Sequence, residues 1–196
     1  KWNGFITKYR KMRDFLLEVN EQNQGNSELQ IVMFTDADAF FNPYALSLSE
    51  VWDRYDTARK DRNILISAEP NCWVGRHCSA DDVLTWYPDA FSRSHCPYFV
   101  NSGAYMGTAP ALLAIIDSML NMDEGKDDQL LLSNYRVQNI EKVSLDTSAT
   151  MFRTMTFGYV DSLSTEGPMT CGTDGIRSCG IFQPAITGML NKTSRI

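Results

Sequence analysis

At 196 residues the chain is long enough for one domain with a sizeable core, and its 43% apolar and 21% charged residues are ordinary for a soluble globular protein. Acids outnumber bases 24 to 18, for a net charge of −6, which argues against the clustered basic face of a nucleic-acid binder. No apolar run approaches the roughly 20 residues of a membrane-spanning helix, so no span is expected.

The chain opens KWNGF, without an initiator Met or a leader, the pattern of a processed or partial chain. Residues 6–19 repeat Ile6, Tyr9, Met12, Phe15, Leu16 and Val19 at helical spacing, predicting a first helix that stops near Asn20. Its basic residues Lys8, Arg10, Lys11 and Arg13 read as a solvated face. A buried strand is expected over 30–35, followed by a helix around 46–58 whose start is marked by Asn42 and Pro43. NILISA (63–68) reads as a second buried strand, ended by Pro70. Residues 71–97 hold two His, three Cys, two Trp and two Pro, an irregular loop of the kind that shapes binding sites. A short strand over 98–101 should break at Ser102-Gly103. Helices are expected from Pro110 to about Leu120 and from Asp127 to about Arg136, then strands near 142–145 and 181–186. Strand and helix alternate, so a layered α/β sheet in a single domain over 1–196 is the economical architecture.

FTDADAFF (34–41) carries the most chemistry. A strand that runs into Asp36 and Asp38 delivers two carboxylates to a sheet's rim, where ligands of open α/β sheets sit. Hard oxygen donors of this kind suit Mg²⁺ or Mn²⁺, which complete their shells with phosphate oxygens. By itself Asp-x-Asp is a weak signal, since such pairs are usually solvated turn residues.

The five cysteines are too few for a disulfide scaffold. Cys171 and Cys179 bracket the Gly-rich loop CGTDGIRSC, and Cys78 and Cys96 flank another irregular stretch, so two pairings are expected, with Cys72 left over. A bridge closing so short a loop contributes up to roughly 2–3 kcal/mol on the loop-entropy model. Asn191-Lys192-Thr193 is an N-glycosylation sequon. Together these point to the secretory pathway, in the endoplasmic reticulum or Golgi lumen, or to the extracellular space.

Five segments stand in order: DADAFF (36–41), SAEPNCW (67–73), YFVNSGAYMGTAPALL (98–113), GKDDQLLL (125–132) and SLDTSATMFRTM (144–155). The series resembles the glycosyltransferase domain of the procollagen lysyl hydroxylases and related collagen-modifying glycosyltransferases. There an Asp-rich metal motif is followed by Ser-Ala-Glu-x-x-Cys-Trp, by Leu-Asn-Ser-Gly and by an Asp run ending Asp-Asp-Gln-Leu. The opening WNGF…K is similar to that family's Trp-Gly-Gly…Lys region, and the likeness extends from about Trp2 to Lys192.

The resemblance implies a GT-A-like (Rossmann-like) mixed sheet flanked by helices, a UDP-hexose donor, Mn²⁺ or Mg²⁺, and a protein acceptor of the hydroxylysine or galactosyl-hydroxylysine type in a collagen-like chain. It implies transfer with retention, for which no single base is named. On this reading Asp36 and Asp38 hold the metal, and Trp73 stacks on the sugar. Glu69, Asn101, Ser102, Gly103 and Lys192 contact the donor, and Asp127 or Asp128 lies at the reacting face. The last pair also has an ordinary structural use, because carboxylates are favoured at a helix start by its dipole.

Three departures stand against the family pattern. Its second metal Asp falls one position later, where this chain has Ala39. A third metal ligand, a His near the domain's end, matches Thr187 or Gly188, and neither His77 nor His95 lies in that region. No nucleotide-binding strand precedes the first helix. An alternative is therefore a catalytically silent GT-A-like domain serving as a binding or structural module in an extracellular assembly.

Overall fold

A central ten-residue strand organises the molecule. The computed structural model describes residues 5–22, 30–36, 47–69, 99–122 and 127–152. Their order is α1 (Phe5–Gln22), β1 (Ile31–Thr35), α2 (Leu48–Arg59), β2 (Ile64–Glu69), β3 (Phe99–Thr108), α3 (Ala109–Leu120), α4 (Asp128–Gln138) and β4 (Val143–Leu145). The strands form one mixed sheet in the order β1-β3-β2-β4. β3 is antiparallel to both β1 and β2, while β4 is parallel to β2. β1, β2 and β4 thus point one way, and their carboxyl ends share one edge of the fold.

Alternation sorts the side chains onto two faces. Ile64, Ile66, Tyr105, Val143 and Leu145, with Val32 and Phe34, face a large cluster built with α1, α3 and α4. Leu65 and Met106, with Ile31, Met33 and Ala104, face a smaller cluster formed with Tyr55 and Ala58 of α2 and with Phe152. β2 is apolar on both faces because helices cover both, which explains its unbroken ILI run. Burying each of those side chains contributes about 1.5–3 kcal/mol.

The helix starts follow from local chemistry. Ser47 caps α2, accepting from Glu50 N, while the Glu50 carboxylate accepts from Ser47 N at 2.6 Å, a capping box. The helix expected around 46–58 is thus found two residues later at its start, where reciprocal capping sets the boundary; Asn42 and Pro43, expected to mark that start, lie outside the described residues. Thr108, the last residue of β3, caps α3 directly, with its Oγ1 accepting from Ala111 N. α1 runs two residues past its expected stop at Asn20, and Phe15, expected in the core, is 53% exposed, because the buried stripe centres on Tyr9 and Leu16.

β3 is the largest correction. A strand was expected to break at Ser102-Gly103, yet pairing continues to Thr108. What Asn101-Ser102-Gly103 makes is a bulge. Ile66 stands opposite Tyr105 and Ala68 opposite Val100, so two steps along β2 match five along β3. The extra residues are absorbed without ending the strand because β1 holds the other side, Thr35 pairing with Ala104 and Asp36 N donating to Gly103 O at 2.7 Å. The late strand expected near 181–186 lies outside the described residues.

Candidate active site at the carboxyl ends of the strands

Each of the three like-directed strands ends in an acid: Asp36 follows β1, Glu69 closes β2 and Asp146 follows β4. The bulge of β3 begins beside them, and α4 starts over the same edge. This is the position at which open α/β sheets bind ligands.

The start of α4 distributes three consecutive side chains. Asp127 is exposed and caps the helix, its Oδ1 accepting from Gln129 N at 2.9 Å and Leu130 N at 3.2 Å. Asp128 turns inward and is buried. Its Oδ1 accepts from Ser102 Oγ at 3.3 Å and its Oδ2 from Lys8 Nζ at 2.6 Å. Gln129 donates through Nε2 to Glu69 Oε1, holding a carboxylate that is only 1% exposed.

Asp36 lies opposite. Its parity along β1 is that of Val32 and Phe34, so it faces α1. Lys8 Nζ donates to Asp36 Oδ1 at 3.1 Å, so one ammonium joins the strand end to the helix start. It also lies 5.1 Å from the Phe34 ring centroid and 5.4 Å from that of Tyr9, within cation–π range. The other carboxylate oxygen, Oδ2, faces Gly103: a Cβ there would stand 3.6 Å from it and 3.0 Å from Asn101 Oδ1. Asn101 Oδ1 in turn accepts from Gly103 N at 2.9 Å, so the bulge is internally tied.

The floor of this cluster is aromatic and dry. Burial pushes the Tyr9 hydroxyl far above the ordinary phenol range, with Tyr105, Asp128 and Asp36 adding to the effect. Tyr105 is raised well above its usual value, again chiefly by burial and then by Asp128 and Asp36. Neither phenol is a base near neutral pH. Both are neutral walls that lower the local dielectric and strengthen the charge interactions above them.

Asp146 is different. Its carboxylate accepts from Thr150 N, Met151 N and Phe152 N at 2.8, 2.6 and 2.7 Å, folding the following turn over α2. Burial pushes its carboxyl up, opposed by those three N–H groups.

A family model described as the PLOD GT domain matches residues 3–166. The chain belongs to that family. It is also similar to a procollagen-lysine,2-oxoglutarate 5-dioxygenase of Drosophila melanogaster, 25% identical over 134 residues, which are 66% of this chain and 17% of that protein. The chain thus spans well under a fifth of that relative's length. The mixed sheet flanked by helices is accordingly GT-A-like.

In this PLOD-type domain the structure brings together Asp36, Asp128, Asn101, Ser102 and Gly103 from three segments far apart in sequence. Glu69 stands at the same edge but is engaged by Gln129, and Asp127 is spent on the cap. Asp38, Trp73, Lys192, Asn191 and the cysteines Cys78, Cys96, Cys171 and Cys179 lie outside the described residues. The solvated basic face expected on α1 holds in part and is corrected at Lys8 and Arg13. The Lys8 side chain is only 15% exposed and bridges two acids, and Arg13 Nε pairs with Asp117 Oδ1 of α3 at 2.6 Å. Arg10 and Lys11 are exposed, as expected of a solvated face, Lys11 at 79%.

Lys8, Tyr9 and Gln129 are the site residues that sequence reasoning missed. A faint signal existed for the first: Lys8 precedes Met12 by four residues and flanks the apolar stripe. A carboxylate pair elsewhere in the chain gives such a flank lysine something to reach.

As a ligand for a hard divalent cation, Asp36 fits. It is a carboxylate at a strand end, its side chain 37% exposed, with one oxygen turned to the bulge. Among the described residues no group of three or more His, Cys, Asp or Glu is arranged to hold a metal; Asp38, expected as a second ligand, lies outside them.

Proposed function

We propose that the chain is a metal-dependent hexosyltransferase domain that moves a sugar from a UDP-hexose to a hydroxylysine-type acceptor of a collagen-like protein, with retention, in the secretory pathway. The observation that carries this is the convergence of Asp36, Asp128 and the Asn101–Gly103 bulge at the carboxyl edge of the sheet, within a PLOD GT-domain match. No described helix is long and apolar enough to cross a membrane.

The roles follow from position. Asp36, with Asp38, would hold Mn²⁺ or Mg²⁺, which supplies Lewis-acid neutralisation of the departing diphosphate. At Gly103 a Cβ would already stand 3.6 Å from Asp36 Oδ2 and 3.0 Å from Asn101 Oδ1, so a larger residue would crowd the acid that would hold the metal. Asn101 presents an amide to the same space, and Asp128, braced by Ser102, offers an acceptor for sugar hydroxyls at the reacting face. By likeness to the family, Trp73 would stack on the pyranose and Lys192 would meet the diphosphate. The low dielectric over Tyr9 and Tyr105 makes these charges count for more than they would in water.

The test is UDP binding with and without Mn²⁺, read by thermal shift. Saturation a hundredfold above Kd stabilises by about 2.7 kcal/mol, which is easily detected. Asp36→Ala should remove the Mn²⁺-dependent part of UDP binding while the protein still folds. Mn²⁺-independent UDP binding, or none in wild type, would leave the silent binding module as the better reading. That alternative draws on Thr187 and Gly188 standing where the family has a His.

A further inference from the structure

Lys8 has no part in the transfer just described, yet it is the most deeply placed cation of the site. Its ammonium lies 3.1 Å from Asp36 Oδ1 and 2.6 Å from Asp128 Oδ2, with the faces of Phe34 and Tyr9 beside it. Asp128 is buried, so its charge needs a partner inside the protein. Asp36 is the more exposed of the two acids and the longer contact.

We infer that Lys8 is an internal counter-ion which an arriving divalent cation displaces from Asp36, so that Lys8 sets the threshold for metal loading. The inference rests on the metal role of Asp36. An ammonium and a divalent cation repel each other and compete for the same carboxylate oxygen, so Asp36 exchanges one for the other. The exchange is local. Lys8 keeps its shorter contact to Asp128 and its aromatic neighbours, and only the 3.1 Å contact is given up. A lysine suits this use because its compact head sits on a flexible four-carbon stem, whereas an arginine fork would bind a carboxylate in two places. In the metal-free protein the clasp holds the strand end and the helix start at the spacing the donor needs, and it prevents two acids from facing each other bare. Lys8 is a positioning residue, acting through Asp36 and Asp128.

The test is a Mn²⁺ titration read by the electron paramagnetic resonance of free Mn²⁺, with melting curves alongside. The proteins are wild type, Lys8→Met, Lys8→Gln and Lys11→Met. Lys8→Met should bind Mn²⁺ at least tenfold more tightly than wild type, melt lower without the metal, and regain more of its melting temperature when saturated. Lys11→Met removes the same charge from an exposed site on the same helix and should behave as wild type, which separates the clasp from a general field effect. Should Lys8→Met fail to fold, Lys8→Gln, which keeps a donor between the acids, carries the comparison. Equal or weaker Mn²⁺ binding by the Lys8 variants overturns the inference while the metal role of Asp36 survives. Absence of Mn²⁺ binding in every protein removes that role and the inference with it.

Discussion

Asp36 and Asp146 end parallel strands of one sheet, and their surroundings differ in kind. Asp146 is satisfied by three backbone N–H groups, which cannot leave without unfolding the turn that carries them. Asp36 accepts instead from the movable head of a lysine, beside the glycine of the bulge. The difference separates two uses of an acid at a strand end. A carboxylate bound by backbone is part of the fold; one bound by an exchangeable side chain is available to a ligand. Sequence alone gives both as Asp after an apolar strand.

The largest effect that would break this contrast is at Asp146. Asp146→Ala should cost about 3 kcal/mol, because it takes the acceptor from three N–H groups, that of Phe152 buried and the other two half-buried. In urea unfolding that loss should be the same with and without Mn²⁺. A Mn²⁺-dependent loss would place Asp146 in the ligand site instead. Two glycines of β3 repeat the contrast within a single strand. At Gly107 a Cβ would stand 2.7 Å from the backbone oxygen of Asn63 and 3.3 Å from both Ile64 Cγ1 and Leu112 Cδ2, so backbone must shift. Gly107→Ala should destabilise by about 2 kcal/mol. At Gly103 the nearest atom is the end of the Asn101 side chain, which can give way at the cost of its hydrogen bond from Gly103 N. Gly103→Ala should cost under about 1 kcal/mol in melting experiments while weakening Mn²⁺-dependent UDP binding several-fold. Equal stability losses at the two positions would mean that the bulge is as tightly packed as the opposite end of the strand.

Glu50 gives the smallest effect, as a third kind of carboxylate, exposed and committed only to a cap. Hydrogen bonds from Ser47 hold its carboxyl below the ordinary value of 4.5. A lowered pKa stabilises above the unfolded value and ceases to do so as pH falls through the folded one. The melting difference between wild type and Glu50→Ala should therefore be present at neutral pH and close in acid. A gap unchanged by acid would mean that the cap works through Ser47 alone.

The elements were largely legible because period and punctuation agree. ILISA can only be a buried strand here, and Thr-Ala-Pro announces α3 as Asp127 announces α4. The bulge was not legible, since Asn-Ser-Gly is equally a turn, and what keeps it in a strand is pairing with β1, some seventy residues earlier. Asp36 was named from its place at the end of an apolar strand and Asp128 from the family's order of motifs, and nothing local joins them. Lys8 was misread for a related reason. Helical periodicity reports which side of a helix is apolar, but not that two distant acids wait at the margin of that side. Phe15 illustrates the same limit in reverse: it has the spacing of a core residue and a place in solvent.

Thr108 is at once the final rung of β3 and the first cap of α3, with no connecting residue between them. A hinge has nowhere to form at that splice. Strand and helix must move as one lever, from the amide of Asn101 to the far end of α3, where Asp117 is tethered to Arg13. A disturbance at either end is therefore felt at the other as a tilt, and amide hydrogens along both arms should exchange together.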